Sequence, residues 1–161
     1  MRHRNVLVIG GAGFVGRYIV NQLVGRGCRV LVPSRRRASA RHLIMLPTCE
    51  VVEASVHDDA TLQRLAAGQD AVINLVGILH GSHKDFIRCH VKLPHKIMDA
   101  CRAAGVPRYL HMSALGANPA SQSYYQHSKG EGEKLVLEPS RGHELDVTVF
   151  RPSVIFGPGD S

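Results

Sequence analysis

The stretch Val6-Leu7-Val8-Ile9-Gly10-Gly11-Ala12-Gly13-Phe14-Val15-Gly16 decides the fold. Its first four residues form a short aliphatic run that ends at glycine, which is typical of a buried parallel strand. The glycines satisfy the pattern GxGxxG from Gly11, and apolar residues at helical spacing follow over residues 14–24. A strand, a glycine-rich turn and a helix in this order predict a dinucleotide-binding turn.

Glycine suits this turn for three physical reasons. One glycine permits the tight turn, one lets the backbone approach a pyrophosphate, and one lets the helix pack close to the strand. The helix N-terminus then offers free N–H groups and a partial positive charge to the phosphates. The alternative is a glycine-rich turn that binds nothing, and the flanking strand and helix argue against it. We therefore assign cofactor binding to Gly10, Gly11, Gly13, Phe14, Val15 and Gly16.

The rest of the chain repeats the alternation of strand and helix. Six strands alternating with helices predict an α/β fold, a doubly wound parallel sheet of the NAD(P)-binding Rossmann type, over residues 1–161. Pro94 lies inside the longest helical segment, where we expect a kink or a late helix start. The expected strands are 6–9, 29–32, one from 51, 70–76, 108–112 and 146–150, and the expected helices are 14–24, 41–46, 61–67, 86–104 and 128–137.

Composition excludes several classes of protein. No apolar run approaches the roughly 18 residues that a membrane span needs, and the N-terminus lacks the features of a signal peptide. The four cysteines have no metal-type spacing, so we expect free thiols, a cytoplasmic protein and no metal site. The net charge of +7 is concentrated in a short basic run without interleaved aromatic residues, which disfavours nucleic-acid binding.

The end of the second strand bears on the choice of cofactor. NAD-preferring domains carry an Asp or Glu about 20 residues after the glycine turn, which holds the ribose 2′-hydroxyl. This chain has Ser34, Arg35 and Arg36 there instead, and guanidinium groups form bidentate bonds with a 2′-phosphate. We therefore favour NADPH (NADP) and keep NAD as the alternative, in which case the basic run is a solvated loop.

Three residues form a candidate catalytic group. Tyr125 and Lys129 are four residues apart, so on a helix they share a face, and the ammonium is expected to lower the pKa of the phenol. Tyr125 could then act as a general acid or base toward a carbonyl or alcohol. Ser113 follows the fifth strand, at the edge of the sheet where ligands bind, and could contact the substrate oxygen. By itself the Tyr–Lys spacing is common, and Ser113 could equally cap or turn the chain.

Four motifs occur in the order found in one superfamily. They are the glycine turn, Ser113, Tyr125-x-x-x-Lys129 and Arg151-Pro152-x-x-x-Phe156-Gly157-Pro158. Together they span the chain, which resembles the extended and atypical short-chain dehydrogenases/reductases, the NAD-dependent epimerase/dehydratase-like proteins. Segments 74–79, 111–117 and 128–133 resemble a narrower group, the bacterial relatives of the short-chain-type accessory subunit of respiratory complex I.

The resemblance implies further roles and one missing part. It places Ser34 and Arg35 at the adenosine ribose, Tyr125 and Lys129 at the nicotinamide, and a C-terminal substrate domain beyond this chain. It also implies further cofactor contacts. Ser55 and Val56 would lie beside the adenine, and Val76 and Gly77 would flank the cofactor. Residues from Pro152 to Val154 would lie near the carboxamide of the nicotinamide. Ser55 replaces a frequent Asp of the superfamily, and His90 replaces a frequent fourth catalytic Asn.

Two functions follow from this pattern. The first is an NADPH-dependent reductase, dehydrogenase or epimerase that acts on an unidentified small molecule through Tyr125 and Lys129. The second is an accessory or assembly protein that holds NADPH without turnover and associates with a respiratory complex. The retained Tyr125 and Lys129 favour the enzyme, whereas His90 and the narrower resemblance favour the accessory protein.

Overall fold

A computed structural model describes residues 4–138 and 145–160, and a six-stranded sheet forms its centre. Every neighbouring pair of strands is parallel, in the order β3-β2-β1-β4-β5-β6. This is the doubly wound order predicted from the sequence, and its direction of winding reverses between β1 and β4. The strands are β1 Asn5–Ile9, β2 Arg29–Ser34, β3 Cys49–Glu53, β4 Ala71–Asn74, β5 Arg108–Met112 and β6 Asp146–Phe150. The helices are α1 Phe14–Gly25, α2 Arg41–Ile44, α3 Asp59–Ala66, α4 His83–Ile87, α5 Leu93–Ala104 and α6 Tyr124–Leu137.

Both faces of the sheet are covered, as the continuous apolar first strand predicts. Along β1, Leu7 and Ile9 enter one buried cluster with residues of α3 and α5, while Val6 and Val8 enter the other with residues of α1 and α2. Side chains of a strand alternate between faces, so an uninterrupted aliphatic run is what two-sided burial requires. All four side chains are at most 2% exposed.

Several predicted boundaries were wrong, including those of α6, β4 and α2. The last predicted helix, expected over 128–137, begins at Tyr124, because Ser123 caps it by accepting a hydrogen bond from the Gln126 N–H. The strand expected over 70–76 ends at Asn74, whose side-chain oxygen accepts from the Val76 N–H and turns the chain out of the sheet. The helix expected over 41–46 is only α2, and a 3₁₀ turn, Arg37–Ala40, precedes it.

The segment expected as one kinked helix over 86–104 has three parts. Between α4 and α5 lies a π-helical turn, Arg88–Lys92, in which the Leu93 N–H donates to the Arg88 carbonyl. Pro94 has no N–H, so the His90 carbonyl lacks its usual α-helical donor. That carbonyl faces Gly132 of α6, where a β-carbon would collide with it. The proline and the glycine together explain how α6 approaches the π-helical turn so closely.

Three expectations from composition concern the described ranges. Within residues 4–138 and 145–160, all four cysteines are free thiols. The same residues contain no group of three potential metal ligands. Among the helices described, none has the length and apolar character needed to cross a bilayer.

Candidate functional site

A cleft with a volume of about 860 Å³ lies at the carboxyl ends of β1, β2 and β4. This is the sheet edge where open α/β folds bind ligands, beside the point where the winding reverses. Its size falls within the range of small-molecule sites. It is lined by the glycine turn (Gly10, Ala12, Gly13), the end of β2 (Ser34, Arg35, Arg36), the segment after β3 (Ala54, Val56, His57), the segment after β4 (Val76, Gly77, Ile78) and the π-helical turn (Arg88, Cys89).

The N-terminus of α1 is suited to an anion. Its N-cap residue, Gly13, makes no side-chain capping bond, and the first turn carries no acidic residue. By contrast, side chains cap α3, α4 and α6. The N–H groups of Phe14, Val15 and Gly16 therefore lack a side-chain acceptor, and they carry the positive end of the helix dipole. A phosphate is the kind of group that satisfies them.

Gly16 sets the geometry of this turn. It is buried, and a β-carbon built on it would lie within 2.5 Å of the Gly11 carbonyl oxygen and against the Gly10 oxygen. No real β-carbon tolerates such a separation, so the turn can fold back on α1 only with glycine at this position. This is the close helix–strand packing that the sequence predicts.

The end of β2 forms a basic wall. The Ser34 hydroxyl donates to the Arg36 carbonyl at 2.9 Å, which fixes a tight local turn. The side chains of Arg35 and Arg36 are exposed at the mouth of the cleft. The nearest acid along the sheet, Glu53, instead accepts from the Arg37 N–H at 3.3 Å. The wall therefore presents cations and a hydroxyl to the cleft.

The segment after β3 contains the expected adenine contacts, Ser55 and Val56. Val56 lines the cleft, whereas Ser55 is exposed beside it and accepts from the His57 N–H at 3.4 Å. Lys96 of α5 donates to the His57 carbonyl at 2.8 Å and so fixes this segment. Burial lowers the pKa of His57, and the nearby charges of Arg88, Arg35 and Lys96 lower it further.

Lys129 is buried beside the cleft wall. Its side chain is 4% exposed, and Nζ donates to the Met112 carbonyl at 2.6 Å. A β-carbon on Gly77, a lining residue, would lie 3.9 Å from this Nζ. Burial lowers the pKa of Lys129 to about 8, an effect that the charge of Glu133 partly offsets. The structure thus brings the expected residues Gly77 and Lys129 together.

Tyr125 lies one turn before Lys129 on α6 and is half-buried. Its ring packs edge-on against His90, at 5.6 Å between centroids, and against Phe86, at 6.5 Å. Burial raises the pKa of this phenol, opposite to the lowering that the lysine was expected to cause. The Lys129 ammonium is directed to the Met112 carbonyl, and burial keeps the phenol protonated near neutral pH.

His90 holds three parts of the site in register. Its Nε2 accepts from the Ile78 N–H at 3.0 Å, so in the neutral ring Nδ1 carries the proton and donates to the Ser128 hydroxyl at 2.8 Å. That hydroxyl in turn donates to the Tyr125 carbonyl. Burial lowers the pKa of His90 to about 4, with a further lowering by Lys129, so the ring is neutral. His90 links the cleft wall to the helix that carries Tyr125.

The Ser113 hydroxyl is hydrogen-bonded to a buried carboxylate. Its hydroxyl donates to Glu133 at 2.6 Å, and both side chains are at most 6% exposed. Arg151 holds the same carboxylate with two N–H groups, the Nε bond being 2.9 Å long. These bonds, with Arg151 first, lower the pKa of Glu133. The sequence motifs predicted no site role for Glu133. Its position four residues after Lys129 places it on the same face of α6 and could have indicated one.

Replacing Glu133 with glutamine is expected to destabilise the fold by about 2 kcal/mol, since a hydrogen bond to a charged acceptor contributes roughly 1.5–3 kcal/mol. The pKa of Glu133 is lowered in the folded state, so its contribution is complete above its ordinary value of 4.5 and is lost as pH falls through the lowered value. Urea unfolding at pH 7 and at pH 3.5 checks this. Equal losses at both pH values would contradict the proposed charge pairing.

The remaining expected residues lie outside the cleft lining. The Pro152 carbonyl accepts from the Leu115 N–H at 2.8 Å, which extends the pairing of β5 and β6. Val154 is 85% exposed. Asn74, at the end of β4, is buried and donates to the Tyr109 hydroxyl at 3.3 Å. Pro152 and Val154 therefore flank the strand ends without entering the described cleft.

Comparison with known proteins identifies relatives along nearly the whole chain. The model of the NAD dependent epimerase/dehydratase family matches residues 6–161. Subunit 9 of the NADH dehydrogenase [ubiquinone] 1 alpha subcomplex from Mus musculus is 34% identical over 158 residues, covering 95% of this chain and 41% of that protein. Ceramide reductase from Caulobacter vibrioides is 32% identical over 157 residues, covering 97% of this chain and 48% of that protein. The chain thus spans less than half of either relative.

Solved structures agree with the fold. UDP-glucuronic acid 4-epimerase from Bacillus cereus, in complex with NAD, superposes with a TM-score of 0.83 at 18% identity. The match covers 97% of this chain and 59% of that one. At this identity the likeness shows a shared fold.

Proposed function

The chain belongs to the NAD dependent epimerase/dehydratase family, and on this premise we propose that it is the dinucleotide-binding part of an NADPH-dependent carbonyl reductase. The observation that carries the proposal is the cleft itself. It joins an uncapped helix N-terminus to a wall formed by Ser34, Arg35 and Arg36. A pyrophosphate fits the first and a 2′-phosphate fits the second. The name of the Caulobacter relative supports reduction as the class of reaction.

The residues around the cleft suit a reduction. NADPH, when bound, supplies the hydride. The proposed catalytic residues are Tyr125 as proton donor to the carbonyl oxygen, Lys129 as a nearby cation, and Ser113 at the end of β5. Two observations support these roles: burial keeps Tyr125 protonated, as a proton donor must be, and Lys129 lies next to Gly77 of the cleft. His90 positions Tyr125 through the Ser128 hydroxyl.

Removing the charge of Arg35 tests the choice of cofactor. We expect Arg35→Ala to weaken NADPH binding about tenfold to 150-fold, since a charged hydrogen bond contributes roughly 1.5–3 kcal/mol, and to leave NADH binding unchanged. Calorimetric titration of both dinucleotides into the protein measures this. Arg26→Ala, which removes an exposed cation at the far end of α1, is the matched control. NADH binding as tight as NADPH would overturn the preference and leave NAD as the cofactor.

A second function is supported by the state of Ser113. Its hydroxyl proton is directed to Glu133 and is not free for a substrate oxygen. The Mus musculus relative is named as a subunit of a respiratory NADH dehydrogenase. The alternative proposal is therefore an accessory protein that holds NADPH and associates with a respiratory complex. It predicts tight NADPH binding without turnover, together with co-purification of the protein with complex I subunits from its own cells.

A further inference from the structure

Arg88 lines the same cleft as the glycine turn and the end of β2. It belongs to the π-helical turn, and it lines the cleft together with its neighbour Cys89. Turns of this kind occur frequently at functional sites, because the extra residue changes which side chains face a cavity. Arg88 belongs to none of the sequence motifs, and the function proposed above does not use it.

Arg88 and Arg35 line the same cleft, together with His57 and the acid Asp85. The charges of both arginines lower the pKa of His57, so both guanidinium groups lie near this residue. Lys96, the third cation near His57, is already paired with Asp59 at 2.7 Å. Two guanidinium groups in one cleft repel each other unless an anion lies between them.

The ion pair of Arg88 is weak. Its Nη2 lies 3.6 Å from an Asp85 carboxylate oxygen, and the two side chains are 54% and 43% exposed. Exposed pairs of this kind contribute between about 0 and 1 kcal/mol. Asp85 has stronger partners in Ser82, whose hydroxyl donates to it at 2.6 Å and whose N–H donates at 3.1 Å. Arg88 can therefore leave Asp85 at little cost, and Asp85 keeps its place in the capping box of α4.

We propose that Arg88 is a second phosphate contact for the dinucleotide, contributed by the π-helical turn in addition to Arg35 at the end of β2. The proposal rests on the proposed binding of NADPH in this cleft. A guanidinium offers paired N–H donors that match two phosphate oxygens, so Arg88 and Arg35 hold the nucleotide together. The phosphate is either the 2′-phosphate or the pyrophosphate, and both present the same chemistry to the arginine.

The test is calorimetric titration of NADPH, NADH and 2′,5′-ADP into the protein and into Arg88→Gln. Lys84→Gln removes the same charge from an exposed position on α4, outside the cleft lining, and is the matched control. We expect Arg88→Gln to weaken NADPH binding about tenfold relative to that control. If Arg88→Gln weakens the binding of NADPH and 2′,5′-ADP but not of NADH, Arg88 contacts the 2′-phosphate. If it weakens the binding of NADPH and NADH equally, Arg88 contacts the pyrophosphate. Arg88→Lys, which keeps the charge, should recover part of the affinity.

Two results overturn the proposal, and they are distinguishable. If the parent protein binds NADPH and Arg88→Gln binds it as well as Lys84→Gln does, Arg88 is a surface residue and the proposed cofactor site stands. If the parent protein binds no dinucleotide, the proposed function fails and Arg88 loses its role with it. Arg88 is half-exposed, so an unchanged unfolding midpoint is expected and separates a binding defect from a folding defect.

Discussion

Gly16→Ala is expected to lower the affinity for NADPH by at least about a hundredfold, which corresponds to roughly 2.8 kcal/mol of binding free energy. The added methyl group would collide with the carbonyls of Gly10 and Gly11, so the turn must move away from α1. Its displacement withdraws the free N–H groups at the helix start from the phosphates that they are proposed to hold. Overpacking of this kind also costs about 1–3 kcal/mol of stability. Calorimetry and thermal unfolding measure the two effects separately.

The same helix provides the control. Gly25 ends α1, and a β-carbon there would have no atom within 4 Å. Gly25→Ala should therefore leave NADPH affinity unchanged and raise stability slightly, by about 0.5 kcal/mol. Gly13→Ala adds a methyl group at an exposed turn position with only one close neighbour, the Gly10 oxygen at 3.3 Å. It should weaken binding while sparing the fold, and undiminished binding in both Gly13→Ala and Gly16→Ala would place the cofactor elsewhere.

The fold was predictable because its signals are local. The aliphatic run before the glycine turn is buried on both faces of the sheet, as a continuous apolar strand requires. Each later strand is likewise bounded by a glycine, a proline or a polar turn. The wrong boundaries arose where a single side chain decides the end of an element, as Ser123 does for α6 and Asn74 does for β4. Such caps depend on geometry that periodicity does not contain.

The electrostatics of the candidate site were less predictable. Spacing alone suggests that Lys129 acts on Tyr125, but the ammonium donates to the Met112 carbonyl, a residue distant in sequence. Spacing cannot report burial, and burial reverses the expected direction of the Tyr125 pKa. The partnership of Ser113, Glu133 and Arg151 likewise joins the end of β5, the middle of α6 and the end of β6. Only the folded sheet brings these three residues together.

The second large effect is expected from Tyr125→Phe. If Tyr125 donates the proton in a carbonyl reduction, removing its hydroxyl should lower turnover by about 10²- to 10⁴-fold. NADPH affinity should stay within about twofold, since the ring and its packing against His90 and Phe86 remain. The measurement is NADPH oxidation with a panel of ketones and aldehydes that includes long-chain ones. Calorimetric titration of NADPH is run beside it.

The neighbouring tyrosine is the matched control. Tyr124 is 59% exposed and packs against His83, so Tyr124→Phe makes the same chemical change one position away from the proposed site. Turnover of Tyr124→Phe should equal that of the parent protein. The rate of reduction should also be constant from about pH 6 to 7 and decline above pH 8, because Lys129 has a pKa of about 8 and loses its charge there.

The outcome of this experiment separates the two proposed functions. A large loss of turnover in Tyr125→Phe, with unchanged turnover in Tyr124→Phe, means that the Tyr125 phenol takes part in the reaction. Ser113 then acts through its oxygen lone pairs, or its hydrogen bond to Glu133 breaks during the reaction. Tight NADPH binding with no turnover in the parent protein would contradict the proposal that the protein is a reductase. The buried contacts of Ser113 and Lys129 would then belong to a site that binds its cofactor without reacting with it. The neutral His90 fits such a site, because both of its ring nitrogens are held in hydrogen bonds that link the cleft wall to α6.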